Sequence, residues 1–350
     1  MFKKPVFLLL ILLAVVLVFS FKASALSQSP TKPSLEISNQ EVEFIINKGD
    51  GLREISRNLV AQKIIYNALF FKFYTVISGN AQSFKPGIYH FDPNTSSAKL
   101  VNLFSAKSPL INVVIKEGET MLDIESNLIA AKVLNKSPGS TQNPRSTFST
   151  LKPAEFAPDF PFLKNINSFE GFLFPDTYHF AFDMKAEDVL KIMLNNFQVK
   201  AWPMLKSHRN YYQLLKIASL IEKEATGDND RALISGLIAK RLSLPMALQI
   251  DSAIAYAECG KRFTSCDDKL RVVTEADLKF ESPYNNYKNL GLPPTPITNP
   301  GLSAINAALH PKASNYLYYL SEPTTGKTIF STTLDEHGTN RVKYLINTNQ

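Results

Sequence analysis

IKEGETMLDIESNLIAAKVL, Ile115 to Leu134, repeats the pattern of INKGDGLREISRNLVAQKII, Ile46 to Ile65. Aligned, Gly49 meets Gly118, Ile55 meets Ile124, Asn58-Leu59 meet Asn127-Leu128, and Ala61 and Lys63 meet Ala130 and Lys132. Each copy begins with a strand of alternating character (VEFIINK, INVVIKE), turns at a Gly-acid pair and enters an amphipathic helix. A duplicated strand–helix unit predicts an α+β chain. Between the copies, SFKPGIYHFDP reads as a turn and a strand, and TSSAKLVNLF as a short helix capped by Thr or Ser.

Beyond the second copy, Asn135 to Pro158 is rich in Ser, Thr and Pro and reads as an exposed loop or hinge. A larger, α-rich part follows. Ala186 to Phe197 and Tyr211 to Ala225 carry helical periodicity, GDND breaks the chain, and Arg231 to Leu242 forms another helix. YLYYLSEPTTGKTIFS alternates on both sides of a Thr-Gly turn and predicts a C-terminal β-hairpin, with a last helix over Thr333 to Leu345. The expected domains are a membrane segment (1–25), a linker (26–40), a small domain with the duplicated unit (41–135), a loop (136–158) and a larger domain (159–350).

The 350 residues suffice for two or three domains, and 45% hydrophobic with 20% charged residues is an ordinary globular balance. The formal charge of +7 favours anionic partners weakly, and no dense Lys/Arg stripe with interleaved aromatics supports nucleic-acid binding. Lys3 and Lys4 precede an apolar run from Pro5 to Phe21, followed by Ala23-Ser24-Ala25. The run is long for a signal-peptide core and slightly short for a full span. A retained anchor and a cleaved signal both fit; the length favours the anchor, and either leaves the lysines on the cytoplasmic side. Cys259 and Cys266 lack CxxC spacing and leave a local disulfide or two buried thiols open. The five histidines show no metal-ligand spacing, and there is no HExxH, GxSxG, Walker or Rossmann pattern.

Chemistry gathers elsewhere. In IASLIEKEAT, Ile217 to Thr226, the apolar positions Leu214, Ile217, Ala218, Ile221 and Ala225 define one buried helical face. Glu222 stands one step from it, with Ala218, Ser219, Ala225 and Thr226 as small helical neighbours. A carboxyl at such an edge is raised in pKa by desolvation and suits a general acid; the alternative is a boundary Glu paired with Lys or Arg. Glu224 points well away from it, towards water or another partner. FEGFLFPDTYHF mixes aromatics, Tyr178 among them, with Glu170 and Asp176, a combination that suits carbohydrate and equally a hydrophobic core. LPMALQIDSAIAYA sets Gln249 and Asp251 before an apolar helix, with Asp251 or Ser252 a possible cap. SPYNNYKNLGLPPTPITNPG is a long irregular stretch of the binding-loop type, offering Tyr284, Asn285 and Asn299; Asn299-Pro300 then starts a helix.

EGFLFPDTY, ASLIEKEA, RLSLPMALQIDSAIAYA, SPYNNYKNLGLPPTPITNPG and AINAALHP, in this order, resemble the YceG-like endolytic murein transglycosylases over nearly the whole chain. The small domain is similar to the sugar-binding LysM-like module. The resemblance places the catalytic acid on Glu222. It implies cleavage of the β-1,4 bond between N-acetylmuramic acid and N-acetylglucosamine to a 1,6-anhydro end, with no metal or other cofactor. With the N-terminal apolar run, the expected location is the cytoplasmic (inner) membrane with the bulk of the chain outside, and the expected partners are peptidoglycan strands and the membrane; an enzyme of this kind that terminates nascent strands would also contact cell-wall synthases. Asp251, Glu170 and Asp176 stand unranked as assisting carboxylates, and a non-catalytic peptidoglycan-binding scaffold is the alternative. The chain departs from the family at Asp228-Asn229-Asp230-Arg231, at Lys240-Arg241-Leu242, in the loop from Glu258 to Asp268, and at Thr295.

Overall fold

A computed structural model describes residues 41–134, 147–225, 227–265, 274–323 and 325–346. The expected membrane segment, the linker, residues 135–146 of the expected loop and Cys266 lie outside these. Among the described residues no helix is long and apolar enough to cross a membrane. Cys259 is disulfide-bonded.

The chain divides into two compact units, Met1–Leu110 with Ala181–Asp183, and Ile111–Phe180 with Met184–Gln350. The division falls between the two strand–helix copies, whereas the expected small domain ran to residue 135. The reason is packing. Val113, Ile115, Ile124 and Leu128 of the second copy belong to the same apolar cluster as Phe169, Leu194 and Leu220. Phe148 and Phe156 join that cluster too, so the later part of the expected loop is built into the second unit.

In the first unit, β1 (Val42–Ile46) pairs antiparallel with β2 (Gly87–Phe91), with Val42 opposite Phe91 and Ile46 opposite Gly87. The inward faces of both strands, with α1 (Leu52–Ala61), α2 (Ala68–Ile77) and α3 (Ser97–Ser105), enclose a core centred on Phe104, whose ring meets Phe44, Phe84, Tyr89 and Phe91. Asn67 caps α2 and Ser96 caps α3 through their side-chain oxygens.

The second unit is mostly helical. Strand β3 (Leu110–Ile115) pairs with β4 (Asp176–Ala181), and α4 (Met121–Ala130) starts on a capping box between Thr120 and Asp123. After α5 (Ala186–Lys200) comes α6 (Tyr211–Glu224), the helix against which α7 (Asp228–Ser243), α8 (Asp251–Glu258) and α9 (Leu302–Leu309) pack. This enclosure widens the buried face of α6 beyond the expected stripe, to Leu215, Ala218, Ser219, Leu220 and Ile221. Helix α7 begins inside the expected GDND break, because Asp228 and Asp230 suit the positive end of a helix dipole. Hairpin β5 (Tyr318–Ser321) to β6 (Thr328–Ser331) and α10 (Leu334–Arg341) follow as expected. The fold is thus mixed α and β, mostly helices with small two-stranded sheets.

Candidate active site

Glu222 lies in the last turn of α6. Its side chain is 6% exposed, and it reaches across to the start of α9, where the Gly301 N–H donates to Oε2 at 2.9 Å. Gly301 is the N-cap of α9, so the expected start at Asn299-Pro300 is displaced. The N–H that Glu222 accepts is therefore one of the helix-end donors that no intrahelical carbonyl satisfies. On the other side Arg231 of α7 approaches Oε1 at 3.5 Å, and its Nε–H has no acceptor among the described residues. Burial raises the Glu222 pKa above its ordinary value; the negative charge of Glu117 raises it further, while the Gly301 N–H and Arg231 pull the other way. The two readings of this residue meet: Glu222 has an Arg neighbour and keeps a raised pKa, because an arginine at 3.5 Å does not offset desolvation.

Gly118 and Glu119, in the turn between β3 and α4, form the opposite wall. A β-carbon on Gly118 would meet Glu222 Cγ and Lys223 Cδ at 3.6 Å, ordinary contact. The turn is fixed by Asn299. The Gly118 N–H donates to the Asn299 carbonyl at 3.0 Å and the Asn299 N–H to the Glu119 carbonyl at 3.0 Å. The Asn299 side chain accepts from Gly171 N and Leu173 N at 2.9 Å and donates to the Glu119 carbonyl and to Glu170 Oε1 at 3.0 Å. Asn299 is fully buried and every hydrogen-bonding capacity of its amide is used. It builds the site; it has no group left for a sugar.

Glu170 is buried behind this wall. It accepts from Met121 N (2.9 Å), Asn299 Nδ2 (3.0 Å) and Tyr256 Oη (2.9 Å). Desolvation pushes its pKa up to about 8. A carboxyl kept neutral and enclosed cannot offer charge to a ligand, so it supports the framework. Tyr256 and Tyr284 pack edge to face, centroids 5.1 Å apart, and the Tyr284 hydroxyl meets Thr295 Oγ1 at 2.8 Å.

The other expected contacts lie apart from Glu222. Asp176 pairs with Lys200 at 2.5 Å and Asn196 at 2.8 Å; against some desolvation these bonds hold its pKa below the ordinary value. Tyr178 is buried and donates to the Phe174 carbonyl, and Phe169, Phe172, Phe174 and Phe180 are buried with it. The aromatic stretch is core and presents no ring face to carbohydrate. Asn285 is spent on the Leu278 and Phe280 carbonyls. Asp251 opens α8 without capping it and accepts from the Tyr287 hydroxyl at 2.6 Å. Protein atoms crowding its inner side push its pKa up. Gln249, exposed, adopts φ 54°, an uncommon conformation for a side-chain-bearing residue, and its Oε1 accepts from Arg241 at 3.3 Å. Glu224 does find a partner rather than water, accepting from Ser252 (2.7 Å) and Tyr319 (2.9 Å). Among the described residues no group of three or more His, Cys, Asp or Glu is placed to hold a metal ion.

Sequence reasoning missed Glu117 and Arg231. Arg231 follows the acidic start of a helix and resembles a solvated face. Glu117 had one signal: it replaces Lys48 of the first copy, a reversal of charge at the same place in the turn.

A desolvated carboxyl at a helix end, one oxygen fixed by a backbone N–H and the other beside an arginine, is an arrangement suited to acid–base chemistry. The YceG-like family model matches residues 44–343. An endolytic murein transglycosylase of Bacillus subtilis is 33% identical over 335 residues, covering 92% of this chain and 90% of that protein. One of Streptococcus pneumoniae is 27% identical, covering 88% of this chain and 59% of that longer protein. The crystal structure of a YceG-like protein from Listeria monocytogenes is 31% identical with a TM-score of 0.53, covering 86% of this chain and 99% of that one. The chain belongs to the YceG-like family.

Proposed function

We propose that this chain is an endolytic murein transglycosylase, cleaving peptidoglycan glycan strands at the β-1,4 bond between N-acetylmuramic acid and N-acetylglucosamine and leaving a 1,6-anhydro end. The observation that carries the reading is the placement of Glu222: 6% exposed, raised in pKa by burial, with Oε2 fixed by the Gly301 N–H. That N–H fixes Oε2 as an acceptor; Oε1 accepts the long contact from Arg231 at 3.5 Å and has a second lone pair to carry the proton.

In the reaction, Glu222 gives its proton to the bridging oxygen, and the bond from that oxygen to the anomeric carbon breaks with its electron pair on the oxygen. The carboxylate so formed takes the proton of the muramoyl 6-hydroxyl as that oxygen bonds to the anomeric carbon. Glu222 ends protonated and no water is consumed. One group serves as acid and then base, which a carboxyl with a raised pKa can do near neutral pH. The apolar run from Pro5 to Phe21 behind Lys3 and Lys4 supports placement in the cytoplasmic membrane with the bulk of the chain outside, where glycan strands and the synthases that make them are met. The named relatives are enzymes, which favours catalysis over a scaffold.

Glu222→Gln preserves shape and hydrogen bonding to Gly301 and removes the proton. We expect strand cleavage to fall by about 10²–10⁴-fold. Mass spectrometry of digested strands reads the outcome. Anhydro ends from the native protein and none from the variant support the proposal; undiminished cleavage by the variant removes Glu222 from the mechanism, and reducing ends indicate a hydrolase.

A further inference from the structure

Three carboxylates were candidates to assist Glu222, and none of them is the one whose charge bears on it. Glu170 is enclosed, Asp176 is paired with Lys200 on β4, and Asp251 is held by Tyr287. Glu117 is different. It is exposed, in the turn between β3 and α4, and its carboxylate lies over the bare α-carbon of Gly301: a β-carbon there would fall 1.7 Å from Glu117 Oε1. The same glycine donates its N–H to Glu222 Oε2 at 2.9 Å. Two acids thus converge on one residue, from the turn and from α6. With standard backbone dimensions their nearest oxygens lie within about 7 Å of each other. That limit admits the separations at which paired carboxyls flank a glycosidic bond.

We propose that Glu117 is the second working carboxylate of this site, ionised beside the sugar ring while Glu222 hands over its proton. The inference rests on the reading of Glu222 as the acid. As the bond to the bridging oxygen breaks, positive charge grows on the sugar ring, and a fixed negative charge nearby stabilises it. Glu117 takes no proton and forms no bond. Its charge also opposes ionisation of Glu222. The groups facing Glu222 are Glu117 from the turn, Arg231 from α7, the Gly301 N–H from α9, and Lys223 on its own helix, whose ammonium lies over the Phe263 ring at 4.3 Å. Of these, Glu117 alone is negative. Gly301 then has a function beyond capping: any side chain there would occupy the position of the Glu117 carboxylate.

Two variants test this by different routes. Glu117→Gln removes the charge. Gly301→Ala keeps the charge and the N–H but displaces the carboxylate, and its backbone, φ −78° and ψ 176°, accepts alanine. Rates on purified glycan strands, measured against pH, are read as kcat and KM separately, with thermal unfolding as the check on folding. For Glu117→Gln we expect kcat to drop about 10-fold or more with KM little changed. The alkaline limb of the kcat profile, where the acid loses its proton, should move to lower pH by half a unit or more, roughly a threefold change in the ionisation constant. Gly301→Ala should move the limb the same way, and Glu117→Asp should restore part of the rate. Native kcat with an unmoved limb in Glu117→Gln overturns the proposal. If Glu222→Gln is inactive while Glu117→Gln behaves as native, only this inference falls; if Glu222→Gln is active, the reading beneath it falls as well.

Discussion

The two strand–helix copies are alike in local detail and opposite in employment. Both turn on a glycine in the left-handed region, Gly49 at φ 97° and Gly118 at φ 80°. Both helices end on a lysine of positive φ, Lys63 at 58° and Lys132 at 59°. Past that lysine the exits also match: the N–H groups of Ile64 and Ile65 donate to the Leu59 carbonyl, and those of Val133 and Leu134 to the Leu128 carbonyl. Tertiary use separates them. Nothing lies within 4 Å of where a β-carbon on Gly49 would be, whereas Gly118 backs onto Glu222 and Lys223. The first turn carries Lys48 and Asp50, and Asp50 only closes its own loop by accepting from the Asn47 N–H at 2.8 Å. The second carries Glu117 and Glu119, tied to Asn299 and facing Gly301. One local code makes both turns; what each turn touches makes one of them part of a site.

The largest test of that contrast lies at Glu170, which holds α4 from outside through the Met121 N–H at 2.9 Å, while α1 starts on Gly51 with no side-chain cap. In the folded chain the Glu170 carboxyl keeps its proton up to about pH 8, against 4.5 ordinarily. The unfolded chain therefore releases this proton first as pH rises. The contribution of Glu170 to stability is full below about pH 4.5, declines between 4.5 and 8, and is lost above, a change of roughly 2–5 kcal/mol. Glu170→Gln should flatten the dependence of the denaturation midpoint on pH across this window, leaving the variant the more stable protein in mildly alkaline buffer. An unaltered slope would show that Glu170 does not carry the burden assigned to it.

Legibility followed the same line. The duplicated unit, the hairpin and α6 were readable because hydrophobic period and turn residues are local signals. The position of Glu222 at the edge of the apolar face of α6 was readable for the same reason: small residues at three and four positions away leave it room. Its partners were not. Gly301 follows Glu222 by 79 residues and Glu117 lies more than 100 residues before it, and no local pattern says that a helix N-terminus will arrive beside a given carboxyl. Asn285 and Asn299 misled for a related reason. In a loop without regular structure the backbone donors and acceptors still need partners, and a buried asparagine supplies them from its side chain. An Asn-rich stretch therefore reads the same whether it contacts a ligand or holds itself together. The aromatic stretch from Phe169 to Phe180 posed the same ambiguity, and the packing of Phe162, Phe172 and Phe197 settles it as core.

A smaller effect separates the two glycines. Alanine in the left-handed region costs about 1–2 kcal/mol wherever it stands. Gly49→Ala and Gly118→Ala should therefore lower the midpoint of their own unit by similar amounts. Only the second should also slow glycan cleavage, because relaxing that strain moves the backbone against Glu222 Cγ, 3.6 Å from the added carbon. Equal losses of activity in the two variants would mean that cleavage follows stability alone and that the second turn holds no special place.

The smallest effect asks whether the first copy can be given what the second has. Helix α4 opens on a Thr120–Asp123 capping box; the matching positions of α1 are Gly51 and Glu54. Gly51 already has the extended backbone of a cap, φ −84° and ψ 163°, and open space around it, so Gly51→Ser meets no steric objection. The new hydroxyl would accept from the Glu54 N–H, and the Glu54 carboxylate would reach back as Asp123 does. That carboxylate is held by Arg57 at 2.7 Å, so the exchange is worth only a few tenths of a kcal/mol. The denaturation midpoint of the first unit should rise by that small amount with glycan cleavage unchanged. A fall would mean that the glycine is kept for what approaches that turn from outside, and the contrast between an idle copy and a working one would no longer hold.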